Sequence, residues 1–472
     1  MNPLNEIRSN PRQFIPSFLV VFVASLFGTA IVQGIGILTA WMNSSALISG
    51  SDTAQLLITL VGLTFFVIAL FVSSIVISNT FSIIIAGRSR QLALLRLIGA
   101  SAKRLRRAAG LEGLLVAVPS ALAAFVASTG LAFGVLLLLG DEITAEAGVL
   151  SWTTFLPAIL TVLVTWGAAY SGARRISTIS PIEATSQSVE RSPEDSGGSR
   201  KSLVSAIVLV AIGVVLLAGG AVLSIGVKTP LGLLIATLGG AVSFLGFVIG
   251  NAWFVPPLQS RIGRTLARGS SARLAAKNIE RHPTRSARTV IGLVVGVTLI
   301  VMFATAMTTF RDQLVAYTAS LDERGMGDAS SEIMRVVDNT MLFFLGMVAF
   351  SVVIAVIGVA NALMLSVRQR TKEIGLLMAL GQTPRQVRQA VLSESAQLSV
   401  TACFIAIPLG IVYGWIGALT VLSELTGFFA PSIPWMVLLG VALGAGAAAI
   451  LASRAPARAA TRVSPIKALE AV

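Results

Sequence analysis

The sequence predicts an all-α polytopic membrane protein of ten transmembrane helices arranged 4+2+4, with two parallel repeats and both termini in the cytoplasm. Three observations carry this. Ten apolar runs are long enough to cross a bilayer, the basic residues are confined to alternate loops, and the second half of the chain repeats the first. Composition agrees: only 12% of the 472 residues are charged, against about 25% in soluble domains.

A bilayer core takes about 20 apolar residues in a helix. Runs of that kind lie at 16–40, 56–86, 109–139, 152–173, 203–224, 231–256, 286–310, 340–366, 391–421 and 432–452. The first follows Arg8 and Arg12 in the manner of a signal peptide, but its run is too long for a cleaved signal and reads as a retained helix. Of the 35 Lys and Arg residues, 31 fall in the N-terminus and in 87–108, 174–202, 257–288, 366–390 and 453–472. All these segments share one side, which the positive-inside rule makes cytoplasmic. The opposite loops hold Lys228, Arg311, Arg324 and Arg335, and are otherwise acidic, with Asp141, Glu142, Asp328 and Glu332 among them. The net charge of +14 is therefore loop charge, and nucleic acid is not expected as a partner.

The repeat is read from three matched segments. IRSNPRQFIPSF (7–18) resembles IERHPTRSARTV (279–290), and SPIEA (180–184) matches SPIKA (464–468). Between them Asn79–Glu112 matches Asn361–Glu394 at a constant offset of 282 residues. The expected domains are 1–185 and 257–472 as the two four-helix repeats, 186–202 as a Ser/Gly/Pro-rich cytoplasmic linker, and 203–256 as an inserted two-helix hairpin. An even insertion keeps the repeats parallel. Glycine-rich runs, such as that near 440–446, suit close helix packing.

Each repeat carries a basic elbow beyond the membrane. In the second, RQRTKEIGLLMALGQTPRQVRQAVLSE (368–394) runs out of a span through Arg370, Lys372, Glu373, Ile374, Leu377 and Met378. Gly381 stops that helix, and Thr383, Pro384 and Gln386 form a capping-box start for the next. The first repeat, RSRQLALLRLIGASAKRLRRAAGLE (88–112), places Arg88, Arg90, Gln91, Leu94, Leu95 and Gly99 at the corresponding positions, with Ser101 as the cap. Such an apolar ridge with a basic rim can lie on anionic headgroups or seat in a groove of a paired protein partner. Two matched, internally punctuated copies favour the partner. Glu112 and Glu394, about two turns past the elbows, are expected at the membrane interface, paired with Arg107, Arg385 or Arg388. Asn79 and Asn361 suit hydrogen bonds between helices.

Catalytic and metal chemistry finds no support. Cys403 and His282 are single residues of their kind, too few for a disulfide or a thiolate–imidazole metal site. No GxxxxGK[ST] motif occurs, and GGSRKS (197–202) has the wrong spacing for a phosphate loop.

RTKEIGLLMALGQTPRQVRQAVLSE, the terminal PARAATRVSPIKALE and RLAAKNIERHPTRSARTVIGL (273–293) resemble the FtsX-like permease domain of MacB-type (type VII) ABC transporters. The resemblance covers most of 273–472 and, more weakly, 1–185. It implies a non-enzymatic permease subunit of the bacterial cytoplasmic membrane, similar to the ten-helix Bce-type permeases. A homodimeric or paired cytoplasmic ATPase would carry ATP and Mg and dock on the elbows, while this chain itself binds no cofactor. Hydrolysis would drive export or extraction of a hydrophobic or amphiphilic compound or peptide. The alternative is a non-transporting subunit that passes ATPase motion to an extracytoplasmic protein such as a cell-wall enzyme, or to a sensor kinase. Two departures stand out. The outer loops 41–55 and 311–339 are too short for the large outer domain of many relatives, and Gln91 stands opposite Glu373.

Overall fold

A computed structural model describes residues 14–43, 52–87, 89–139, 148–173, 200–227, 231–266, 283–323 and 381–447, with isolated positions between 229 and 356. The described residues are helices joined by short turns, without a strand. The chain forms two compact units, Met1–Glu190 and Arg191–Val472.

The first unit contains α1 (Ile15–Asn43), α2 (Asp52–Gly87), α3 (Ser89–Leu97), α4 (Ala102–Leu139) and α5 (Leu156–Gly172), the last preceded by a 3₁₀ turn at Trp152–Phe155. Near-continuous apolar sequence gives α1, α2, α4 and α5 no strongly polar face, as a lipid-immersed bundle requires. Their small buried residues face one another. A Cβ at Gly28 would fall 2.8 Å from the Phe66 ring, and one at Gly113 would fall 2.5 Å from Ala169 Cβ. Glycine lets these backbones approach where lipid supplies no hydrophobic drive. At one end of the bundle Gln33 ties α1 to α4. Its Nε2 donates to Thr129 Oγ1 (3.0 Å) and to the Val149 carbonyl (3.4 Å), and its Oε1 accepts from Ser128 Oγ (2.7 Å).

The second unit contains α6 (Arg200–Gly226), α7 (Leu231–Leu266), α8 (Pro283–Asp322), α9 (Pro384–Thr426) and α10 (Trp435–Ala447). α6 and α7 form a hairpin closed by small residues seven apart: Ala206, Gly213 and Gly220 on one helix face Gly232, Gly239 and Gly246 on the other. A Cβ at Gly220 would stand 2.6 Å from the Ala236 amide nitrogen and the Gly232 carbonyl. Seven-residue spacing keeps one face in register over several turns. The hairpin is joined to the second repeat: Ser243 Oγ and Tyr413 Oη are 2.8 Å apart, and Ala221 packs with Leu314, Leu419 and Leu422.

Eight helices among the described residues are long and apolar enough to cross a membrane. The expected span at 340–366 lies almost wholly outside the described residues. That at 432–452 is seen as Trp435–Ala447. Several boundaries differ from expectation. α8 has 40 residues and runs on to Asp322, through Arg311 and Asp312, where the hydropathy pattern predicts a loop. It is about 60 Å long, twice the bilayer core, so charges there mark emergence from lipid and not the helix end. α7 likewise passes through Pro256 and Pro257 to Leu266. Proline removes a donor but does not by itself end a helix. The expected linker 186–202 lies outside the described residues except for 200–202, which already belong to α6. At the glycines 440, 444 and 446 no close neighbour stands among the described residues.

Candidate functional site: two matched elbows

α2 is followed, after Arg88, by the nine-residue α3, which bears Arg90 and Gln91 on its backbone. α3 ends in a Schellman turn. Gly99 has φ of 100°, its N–H donates to the Arg96 carbonyl (3.1 Å), and the Ala100 N–H donates to the Leu95 carbonyl (2.9 Å). Glycine fits there because a Cβ is strained at positive φ. Ser101 then opens α4, its Oγ accepting the Arg104 N–H (3.3 Å).

The turn sorts the apolar side chains of α3. Leu92 is buried with Leu105, Ala109 and Ala173, and Leu95 and Ala100 pack against that cluster. Leu94, Leu97 and Ile98 point the other way, and are 49%, 49% and 81% exposed. Their i, i+3, i+4 spacing makes a single ridge. Of the two leucines expected on it, Leu94 is there and Leu95 is turned inward. Leu97 and Ile98 are additions that the helical spacing could have supplied.

The second elbow is described from Gly381 onward, so Arg370, Lys372, Glu373, Ile374, Leu377 and Met378 lie outside the described residues. What is described repeats the first at the same offset. Gly381 has φ of 94°, and α9 begins at Pro384 as α4 begins at Ala102. The capping box is complete: the Gln386 N–H donates to Thr383 Oγ1 (3.3 Å) and the Thr383 N–H donates to Gln386 Oε1 (2.9 Å). In the first elbow the third helical residue is Arg104, which has no acceptor to return, so only half the box forms.

Glu112 and Glu394 occupy matching places ten residues into α4 and α9, about 15 Å from the turns. Both are buried, whereas Arg107 and Arg385 are exposed and Arg388 is half-buried. Asn361 is outside the described residues, as is the side chain of Asn79.

Sequence comparison converges on the same segments. The family profile FtsX-like permease C-terminal matches residues 63–181 and 345–465, each match spanning one elbow and its buried carboxylate. The chain is 32% identical over 183 residues to "Macrolide export ATP-binding/permease protein MacB" of Nitrosomonas europaea, covering 36% of this chain and 26% of that protein. It is 35% identical over 132 residues to "Pyoverdine export ATP-binding/permease protein PvdT" of Pseudomonas putida, covering 28% and 19%. With "ABC transporter permease YtrF" of Bacillus subtilis it shares 30% identity over 139 residues, 27% of this chain and 31% of that one. The chain thus spans a third or less of the length of these relatives.

Proposed function

Because this chain belongs to the FtsX-like permease family and is a multi-pass protein of the bacterial cytoplasmic membrane, we propose that it is a permease subunit driven by a separate ATPase docked on its two elbows. The observation that carries this reading is the Leu94–Leu97–Ile98 ridge. Three large apolar side chains are held outward beyond a span by a Schellman turn and a capped helix start, and the family match repeats at the second elbow.

In this reading the chain has ten spans in a 4+2+4 order, with both termini and both elbows cytoplasmic. ATP and Mg reside on the ATPase pair. Nucleotide-driven closure of that pair tilts the elbows, and since α3 is fastened to α4 through the Leu92–Leu105 cluster, the tilt passes into the spans. Rigid transfer of this kind needs a two-state element biased by the ligand, and ATP turnover gives it direction. The cargo is a hydrophobic or amphiphilic compound or peptide taken from the outer leaflet. Export is named in two of the relatives, and the outer connections here are short.

The test is co-purification. Leu94→Asp with Ile98→Asp, both on exposed positions, should leave the permease folded by size-exclusion profile and strip the ATPase from it. An ATPase that stays bound to the double variant removes the ridge from the docking surface.

A further inference from the structure

We propose that α4 and α5 of the first unit form a binding site for the phosphate headgroup of an anionic phospholipid, in the leaflet on the elbow side, built from Lys103, Arg106 and Arg107 with Trp166 and Tyr170. The guanidinium of Arg106 lies 4.4 Å from the centroid of the Tyr170 ring. Tyr170 in turn stacks on Trp166, ring centroids 6.2 Å apart. Gly110, one turn along from Arg106, has no side chain, and this admits the indole: a Cβ there would stand 3.2 Å from Trp166 Nε1. The arginine is therefore held in place by the aromatic pair. Its Nε is buried, with no hydrogen-bond acceptor among the described residues, and the planar fork of a guanidinium suits phosphate. Lys103 lies one turn back from Arg106, Arg107 lies one turn on from Lys103, and both are exposed.

The site opens to lipid. On α5, Trp166 continues a column of exposed apolar residues through Ile159 and Leu163. On α4, Arg107 tops a second column through Leu111, Val118 and Leu122. Its depth also fits. Trp152, 74% exposed, begins the 3₁₀ turn before α5, and Tyr170 lies 18 residues further on. That is about 27 Å along a helix, close to the roughly 30 Å of a hydrocarbon core, so the two aromatic positions mark opposite interfaces. The second repeat keeps Arg388 opposite Arg106 but has Ile450 and Arg454 where the first has Trp166 and Tyr170. The aromatic-braced site therefore belongs to one repeat alone.

Native mass spectrometry of the full chain, delipidated in detergent, tests this. Phosphatidylglycerol should be retained in preference to phosphatidylcholine, and soluble glycerol phosphate should not displace it at equal concentration. One basic residue near an anionic surface corresponds to about a fivefold change in affinity, so Arg106→Gln should lower phosphatidylglycerol retention about fivefold and Lys103→Gln with Arg106→Gln about twenty-five-fold. Arg106→Lys, which keeps the charge and loses the fork, and Tyr170→Leu, which keeps all charge, should each weaken retention measurably. They serve if the Gln variants do not fold. Equal retention of phosphatidylcholine, displacement by glycerol phosphate, or unchanged retention in all four variants overturns the proposal. So does loss of bound ATPase in Arg106→Lys with retention unchanged, which would assign the arginine to a protein contact. The outcome needs only that α4 and α5 cross the bilayer, so it stands or falls separately from the elbow docking.

Discussion

The two units solve the same packing problem at corresponding helices in different chemical terms. In the first, α1 is joined to α4 by a polar latch of Gln33 with Ser128 and Thr129. In the second, α8 is joined to α9 by glycine: a Cβ at Gly410 would stand 2.7 Å from Val301 Cβ, and one at Gly414 would run into the Met302 carbonyl. Beyond that crossing, the Ser432 N–H donates to Thr309 Oγ1 (3.1 Å) and Trp415 Nε1 donates to the Phe429 carbonyl (2.9 Å). A latch of hydrogen bonds can exchange partners and re-form. Backbones in contact permit no side chain between them. The elbows diverge less over the described residues, since Gly99 and Gly381 both take positive φ and α4 and α9 both begin three residues later. Over the described residues the two repeats thus keep the turn and helix start of the elbow at the same offset, while the helix crossings beyond them differ.

Breaking each crossing should rank the two. Gly414→Leu puts a branched side chain into backbone, and overpacking of this kind costs about 1–3 kcal/mol and occasionally more. Because the obstacle is a carbonyl and not a flexible side chain, the upper end is expected, read as a collapse of the detergent melting temperature. Gln33→Leu keeps the volume but leaves the hydroxyls of Ser128 and Thr129 without the partner they now have. A buried unsatisfied group costs about 1–3 kcal/mol, so a smaller fall in the same melt is expected. A larger fall for Gln33→Leu than for Gly414→Leu would reverse the ranking.

The elbows should differ less. Loss of a cap costs about 1 kcal/mol. Thr383→Ala removes the two hydrogen bonds of the threonine hydroxyl, one from the Gln386 N–H and one to Gln386 Oε1, and leaves the Thr383 N–H arm in place, whereas Ser101→Ala removes one hydrogen bond. Hydrogen exchange at the starts of α9 and α4 should therefore rise more for the threonine variant. The smallest effect is expected from Gly134→Ala on α4, an exposed position where nothing among the described residues stands within 4 Å. Helix propensity alone acts there, worth up to about 1 kcal/mol in favour of alanine, so the melt should hold or rise slightly. A fall would reveal a neighbour at that position.

Much of the elbow is legible in the amino-acid sequence because it is local. Gly99 and Gly381, Ser101 and Thr383, Pro384 and Gln386 act through the backbone within a few residues, and they sit where helix-punctuation rules put them. Which leucine faces outward is not legible from the apolar pattern alone. Leu94 and Leu95 are adjacent, and only the packing of Leu95 toward Leu105 and Ala173 separates them. Helix ends beyond the bilayer escape the sequence for a related reason. Hydropathy reports where lipid ends, and α8 continues past Arg311 because its backbone bonds do not depend on lipid. The hairpin's attachment is least legible, since Ser243 and Tyr413 lie 170 residues apart and neither stands out in an apolar run. Its glycines at 232, 239 and 246 do carry a readable seven-residue period.

The functional reading rests above all on the outward ridge of α3 being the surface the ATPase holds. Single cysteines at Ile98 and, separately, at Leu95 should be tested for cross-linking to the co-expressed ATPase in membranes, with Cys403 replaced by serine. Ile98→Cys should cross-link, with a yield that changes when ATP is added, and Leu95→Cys, facing the Leu105 cluster, should not. Equal yields at the two positions, or none at Ile98 with the complex intact, would take the ridge out of the ATPase interface.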